Sequence, residues 1–288
     1  MLMTAKVDPW VHGILCDPVS KSPLRLDRDF MVSDYGRRYP VVEGVYDLRA
    51  LTSRTGLVSE LWHLGQGQYE VRNARATRQL SEAYYAAQRR GVEEVYRDIR
   101  ISGRCVDVGG SDGSLRAFLD PQQEYISIDP WLELVREPRS RVAKLVYPFI
   151  DEPLNFIAAF AEHLPFLSWS FDVVHMRSVL DHFLNPELAV REAFRVLKNG
   201  GSIVIGLYVK GGKSGRVDMR TYLKEMAREM LVAVGVNRVR DHHMWHPTYK
   251  ELCQLITTAG FCVERTHWQK SEQDRVCYIQ AFKCVTEA

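Results

Sequence analysis

From residue 101 onward, short apolar runs rich in β-branched residues alternate with longer stretches whose apolar positions recur at helical spacing. This pattern predicts strands over 104–109, 125–129, 155–160, 171–176 and 202–209, a helix from 113 and another over 186–197. In the second helix, Asn185 can cap, Pro186 suits the first helical position and Glu187 complements the dipole. Ala189, Ala193, Val196 and Leu197 form its buried stripe, with Gly200 as its stop. A further helix over 247–259, opened by Pro247 and ended by Gly260, leads into strands over 261–268 and 276–284. Alternation of this kind implies an α/β, doubly wound parallel sheet closed by a tail hairpin. Pro138, Pro148 and Pro153 leave room only for a short or broken helix between residues 131 and 153.

The rest of the chain reads differently. Over residues 1–51, short alternating runs separated by Pro and Gly predict a small β-rich module. Residues 52–100 form a helical connector, in which Tyr85, Val92, Val95, Tyr96 and Ile99 make one stripe. Trp62, His63 and Tyr69 in this connector are open as site lining, with core packing favoured for Trp62. Residues 101–288 then form the main domain. Within it, 210–246 breaks the rhythm with the loop Gly211–Gly215 and a stripe of Met219, Tyr222, Leu223, Met226, Met230 and Val234. Plain packing, a lid over the site and a homodimer contact are three readings of that stripe.

Composition narrows the partners. With 38 basic and 36 acidic residues in 288, the formal net charge is +2. Arg72, Arg75, Arg78, Arg89, Arg90, Arg97 and Arg100 alternate with Glu and Ala, which marks a solvated helix face rather than a nucleic-acid footprint. No apolar run has the length of a membrane span, and the N-terminus lacks an export pattern, so a cytoplasmic location is expected. Six scattered cysteines without a C-x-x-C are expected to be reduced thiols.

The candidate chemistry begins where the first strand of the main domain ends, at Asp107-Val108-Gly109-Gly110-Ser111-Asp112-Gly113. Glycine tolerates positive φ and has no Cβ, so such a turn lets backbone approach a ligand closely. The next strand ends in Asp129, a carboxylate placed to take ribose hydroxyls. A nucleoside-containing cofactor is the expectation. Further on come Ala161-Glu162-His163-Leu164-Pro165-Phe166, Ser170-Phe171-Asp172-Val173-Val174, Val179-Leu180-Asp181-His182-Phe183 and Arg195–Ile205.

In order and spacing, these segments resemble the later motifs of class I S-adenosylmethionine (SAM)-dependent methyltransferases of the type 11-like group. The turn resembles that family's first motif, D/E-x-G-x-G-x-G, at Asp107, Gly109 and Gly113. The resemblance covers about residues 101–209 and implies a Rossmann-like, seven-stranded methyltransferase sheet with SAM as cofactor. It also implies that Asp107 holds the methionine amino group directly or through water, that Gly109, Gly110, Ser111 and Gly113 line the methionine tail, and that Asp129 binds ribose. Phe160, Ala161 and Glu162 would flank adenine, and Arg177 joins the cofactor set. Ser111 departs from the family's middle glycine, and Phe160 stands where many relatives place an Asp.

Residues 1–51 show a second likeness. Asp17-Pro18-Val19-Ser20, Lys21-Ser22-Pro23-Leu24 and Tyr39-Pro40-Val41-Val42-Glu43-Gly44 resemble the small zinc-ribbon-like domain related to the activator subunits of tRNA and protein methyltransferases. Its knuckle cysteines are replaced here by Asp17 and Ser20, and Cys16 alone cannot assemble four soft ligands, so no metal is expected.

For a general base, the candidates are histidines. Asp181-His182 follows the fourth strand, and Asp241-His242-His243-Met244-Trp245-His246 precedes a helix. The second cluster is open to three readings: a base, a metal site, or a loop with one capping histidine. His182 and His243 are the catalytic candidates, ahead of His242 and His246, because the residue next to Pro247 suits a cap. Together with the absence of a basic face, this gives the expectation of O-methylation of a small hydroxylated acceptor. Two alternatives accompany it: methylation of RNA or protein docked by the N-terminal module, and a SAM-binding scaffold without turnover.

Overall fold

In the computed structural model, residues 5–50, 66–67, 80–132, 141–216 and 243–284 are described, together with Leu223, Ala227 and Met230. Trp62, His63, Tyr69, Asp241, His242 and most of the 210–246 stripe lie outside the described residues.

The strands of the main domain are β6 (Cys105–Val108), β7 (Tyr125–Ile128), β8 (Leu154–Ala158), β9 (Phe171–Arg177), β10 (Leu197–Tyr208), β11 (Phe261–Trp268) and β12 (Val276–Lys283). Their order across the sheet is β8-β7-β6-β9-β10-β12-β11. The first five run parallel, and β12 lies antiparallel to both β10 and β11. All residues of β6, β7 and β8 are buried, as strands covered on both faces must be. One face carries α4 (Pro186–Val196) and α5 (Tyr249–Thr258), whose apolar stripes join Val106, Val108 and Ile205 in the larger core. Against the other face pack Val92 and Val95 of α2 (Glu82–Asp98) and Ile99 just after it, beside Cys105, Val173 and Phe156. The doubly wound, seven-stranded sheet expected from the pattern is therefore present.

Local sequence explains most boundaries. The Asn185 side chain accepts from the Leu188 amide at 3.0 Å with Pro186 in the first turn, so α4 starts where the capping residue dictates. It ends at Val196, however, and not at Gly200, which sits inside β10 with φ +73°. α5 is capped by Thr248, which forms a reciprocal capping box with Glu251, rather than by a histidine. After the glycine turn there is only a 3-10 segment, Ser114–Phe118, where a longer helix was expected. Between Pro138 and Pro153 the described helix α3 (Arg141–Val146) is indeed short.

The N-terminal strands β2 (Leu24–Asp27), β3 (Phe30–Ser33), β4 (Arg38–Val42) and β5 (Val45–Asp47) form an antiparallel meander. This meander is continuous with the main sheet. β1 (Ala5–Lys6) pairs with the first half of β8, and β5 pairs with its second half, both parallel, so the exposed edge of β8 is covered. A half-buried ion pair pins the meander's knuckle to α4: Lys21 Nζ lies 2.6 Å from Glu192, which also takes two hydrogen bonds from Arg195.

Asp17 is fully buried beneath this knuckle. Its Oδ1 accepts from the Val19 and Ser20 amides at 2.8 Å, and its Oδ2 accepts from the Tyr39 hydroxyl at 3.1 Å. Burial alone would raise its pKa, but these hydrogen bonds and one from Ser33 outweigh it and hold the carboxyl below the ordinary range. One cysteine expectation is corrected. Cys262 and Cys284, brought together where β11 begins and β12 ends, form a disulfide, while Cys16, Cys105, Cys253 and Cys277 are free thiols.

Candidate functional site

A cleft opens at the carboxyl ends of the parallel strands, where ligands bind in open α/β sheets. It is lined by Gly109 and Ser111 of the turn, Asp129 and Trp131 after β7, Phe160–Glu162 after β8, and Ser178, Val179, His182 and Phe183 after β9. Gln66 of the connector completes it and donates to the His182 carbonyl.

The turn is tightly constrained. Gly109 has φ +68°, and a Cβ there would lie 2.4 Å from the Val179 side chain. A Cβ on Gly110 would meet the Asp107 carboxylate at 2.6 Å. Ser111 takes φ +47°, so the position where the resemblance places a glycine does demand a left-handed backbone, and the serine bears it as strain. Ser178, on the opposite lip, is likewise left-handed at φ +53°.

Asp129 stands at the cleft with its Oδ1 fixed by the Trp131 amide at 2.9 Å. Phe160 and Trp131 provide aromatic surface, and Val108, Ala159 and Ala161 an apolar wall. Glu162 is buried, with its carboxyl raised by burial against opposing backbone N–H bonds from Asn185 and Leu184. Through Oε1 it holds the Asn185 amide at 3.2 Å, bracing the loop before α4. A carboxylate, an aromatic wall and a turn without bulky side chains fit a nucleoside that carries a polar tail.

The structure does not bring all the expected cofactor residues to this cleft. Gly110 and Gly113 shape the turn without lining it. Asp107 faces into the sheet: its Oδ1 accepts from His175 Nδ1 at 2.7 Å and its Oδ2 from the Tyr125 hydroxyl at 2.8 Å. The His175 Nε2 in turn meets the Tyr96 hydroxyl at 2.9 Å. An ionised carboxylate only accepts, so Nδ1 is the donor to it and Nε2 faces Tyr96. This chain of four residues holds β6, β7, β9 and α2 together beneath the turn. Arg177 also points away from the cleft, donating from Nε to the Tyr278 hydroxyl at 3.1 Å on the side of Val173 and His175.

The histidine candidates do come together, with a different acid. The His182 and His243 rings lie tilted against each other with centroids 4.6 Å apart, and the His246 ring centroid is 5.4 Å from that of His243. The carboxylate beside them is Asp181, whose Oδ2 is 3.5 Å from His243 Nε2. The Met244 and Trp245 amides both donate to the Asp181 carbonyl, which ties the 243–246 segment to the 3-10 turn Leu180–His182. Sequence reasoning missed Trp131 and Ser178. Trp131 could have been found from its place just after Asp129, whereas Ser178 has no sequence signal because only its backbone conformation marks it.

Residues 106–205 match a family model described as a methyltransferase domain. The chain is 30% identical over 128 residues to the mitochondrial 2-methoxy-6-polyprenyl-1,4-benzoquinol methylase of Caenorhabditis elegans, covering 40% of this chain and 44% of that protein. It is 32% identical over 109 residues to the uncharacterized methyltransferase YcgJ of Bacillus subtilis, covering 38% and 42%. It thus spans less than half the length of these relatives. Among solved structures, the Burkholderia thailandensis 1,6-didemethyltoxoflavin-N1-methyltransferase, with S-adenosylhomocysteine bound, matches 92% of this chain and all of that one. The TM-score is 0.53 at 13% identity, which is a likeness of fold. Residues 106–205 thus match a methyltransferase domain, and the fold of the chain agrees with that of the Burkholderia methyltransferase.

Proposed function

We propose that this protein transfers the methyl group of SAM to a hydroxyl oxygen of a small acceptor, with the proton removed at the Asp181–His182–His243 cluster. The observation that carries this reading is His182 in the lining of the cleft, with His243 beside its ring and Asp181 within reach of His243. SAM, when bound, supplies a methyl group on a good leaving group. The protein's own part is alignment, which is worth roughly 7–11 kcal/mol at best, and proton removal, worth typically 10²–10⁴-fold. Asp129 orients the nucleoside end, the 109–111 turn accommodates the tail, and Phe160 and Trp131 flank the base. Relatives named for benzoquinol and toxoflavin substrates support a small acceptor. Oxygen as the methylated atom rests on the cluster alone.

The same proposal divides the chain into 1–51, 52–100 and 101–288, with 210–246 as a lid. It takes the first segment as a zinc-ribbon-like module in which buried hydrogen bonds to Asp17 do the work of a metal knuckle. Incubating the full chain with methyl-labelled SAM and separate pools of hydroxylated, glycosidic and macromolecular acceptors tests the function. Label in a small O-methyl ether is the expected product; label only in RNA or protein would refute it.

A further inference from the structure

We propose that Asp181, His182 and His243 hold a divalent first-row transition cation of the zinc kind, beside the cofactor cleft. One ligand atom from each residue lies within 4.8 Å of the others. Two ligands that each sit roughly 2.0–2.1 Å from a tetrahedral cation are separated by about 3.4 Å. Asp181 Oδ2 and His243 Nε2 are already 3.5 Å apart, which is long for a hydrogen bond and right for the edge of a coordination sphere. The two edges to His182 lie within 4.8 Å and close by side-chain rotation.

The arrangement is built into the backbone. Asp181 and His182 belong to the short turn after β9, while His243 arrives from a segment remote in sequence. The Asp181 carbonyl receives the Met244 amide at 2.6 Å and the Trp245 amide at 3.3 Å. The Lys210 amide donates to the Pro247 carbonyl at 2.8 Å and secures the far end of the same segment. The three side chains are thereby brought to one place before any ion arrives. The Asp181 side chain is 13% exposed and that of His243 32%, so the carboxylate is shielded while one side of the cluster stays open.

Two imidazoles and one carboxylate prefer zinc-like cations over magnesium, which favours oxygen ligands. Three protein ligands leave a coordination position for another group. What that position takes rests on the function proposed above: the acceptor hydroxyl, acidified as a metal-bound water is. Its proton leaves to solvent, and the oxygen's electron pair forms the new bond to the methyl carbon. The carbon–sulfur bond breaks with its pair going to sulfur, leaving a neutral thioether. In this state His182 and His243 act as ligands and the cation acidifies the hydroxyl.

The test uses the full, tag-free chain, stripped with a chelator and titrated with cobalt(II) alone, read by visible absorption and elemental analysis. One equivalent should bind, and His182→Ala and His243→Ala should each weaken it at least tenfold. Asp181→Asn serves where either variant fails to fold, and His267→Gln, remote from the cluster, should leave binding unchanged. No stoichiometric cobalt in the wild type, or equal affinity in the ligand variants, would overturn the site. SAM titrated into the same samples reads the cleft separately, so cobalt binding without SAM binding would uphold the cation site and sink the functional reading instead.

Discussion

The two walls of the cleft are made in opposite ways. The cofactor wall comes from consecutive strand ends, where Gly109, Ser111 and Asp129 sit within one β-turn-β unit. The wall proposed for the acceptor holds His182 after β9, with Asp181 beside it and His243 carried in by the segment that precedes α5. A wall built from neighbours in sequence can be read as a motif with fixed spacing. A wall built by convergence depends on hydrogen bonds such as those from Met244 and Trp245 to the Asp181 carbonyl, which leave no local pattern.

Substitutions on the acceptor wall should separate it most sharply from the cofactor wall. His182→Asn and His243→Asn are each expected to lower turnover by about 10²–10⁴-fold while SAM affinity stays within a factor of two or so. Steady-state rates beside calorimetric titration will show this; full turnover in both variants would leave alignment as the only catalytic device. On the cofactor wall, Asp129→Ala should cost on the order of 1.5–3 kcal/mol of SAM affinity, roughly a 10- to 150-fold rise in Kd. Unchanged affinity would dissociate that carboxylate from the ribose.

Away from both walls, Asp17→Asn should cost about 1–3 kcal/mol of stability at neutral pH, because a buried carboxylate loses its matched donors. Folding lowers this carboxyl's pKa, so its contribution is complete above the ordinary carboxylate range and fades as the pH falls through and below it. Thermal melts of wild type and variant should therefore converge toward pH 3; a constant gap would contradict the assignment. The smallest effect concerns Ser111. Ser111→Gly should raise stability by about 1 kcal/mol through relief of its left-handed strain, and a lower melting temperature would show that the serine is held by contacts worth more than the strain.

The sheet was legible in the sequence because parallel strands buried on both faces leave unmistakable apolar runs, and Asn185-Pro186 announced α4 without ambiguity. Other features depended on tertiary choices. Gly200 looks like a helix stop, yet the chain leaves the helix earlier, at Val196, and spends that glycine inside β10. Asp107 looks like a ligand because it ends a strand before a glycine turn, but His175 and Tyr125 on the flanking strands capture both of its oxygens. The Cys262–Cys284 bond follows from the hairpin register, which sequence spacing does not reveal. Asp181 was visible as a neighbour of His182, but nothing local marks it as the acid that His243 meets.

The central claim is that this cleft holds SAM, and calorimetric titration of the full chain tests it most directly. SAM and S-adenosylhomocysteine should each bind at one equivalent, with NAD giving no saturable heat. Absence of SAM binding by the folded protein, or equal binding of NAD, would contradict the account.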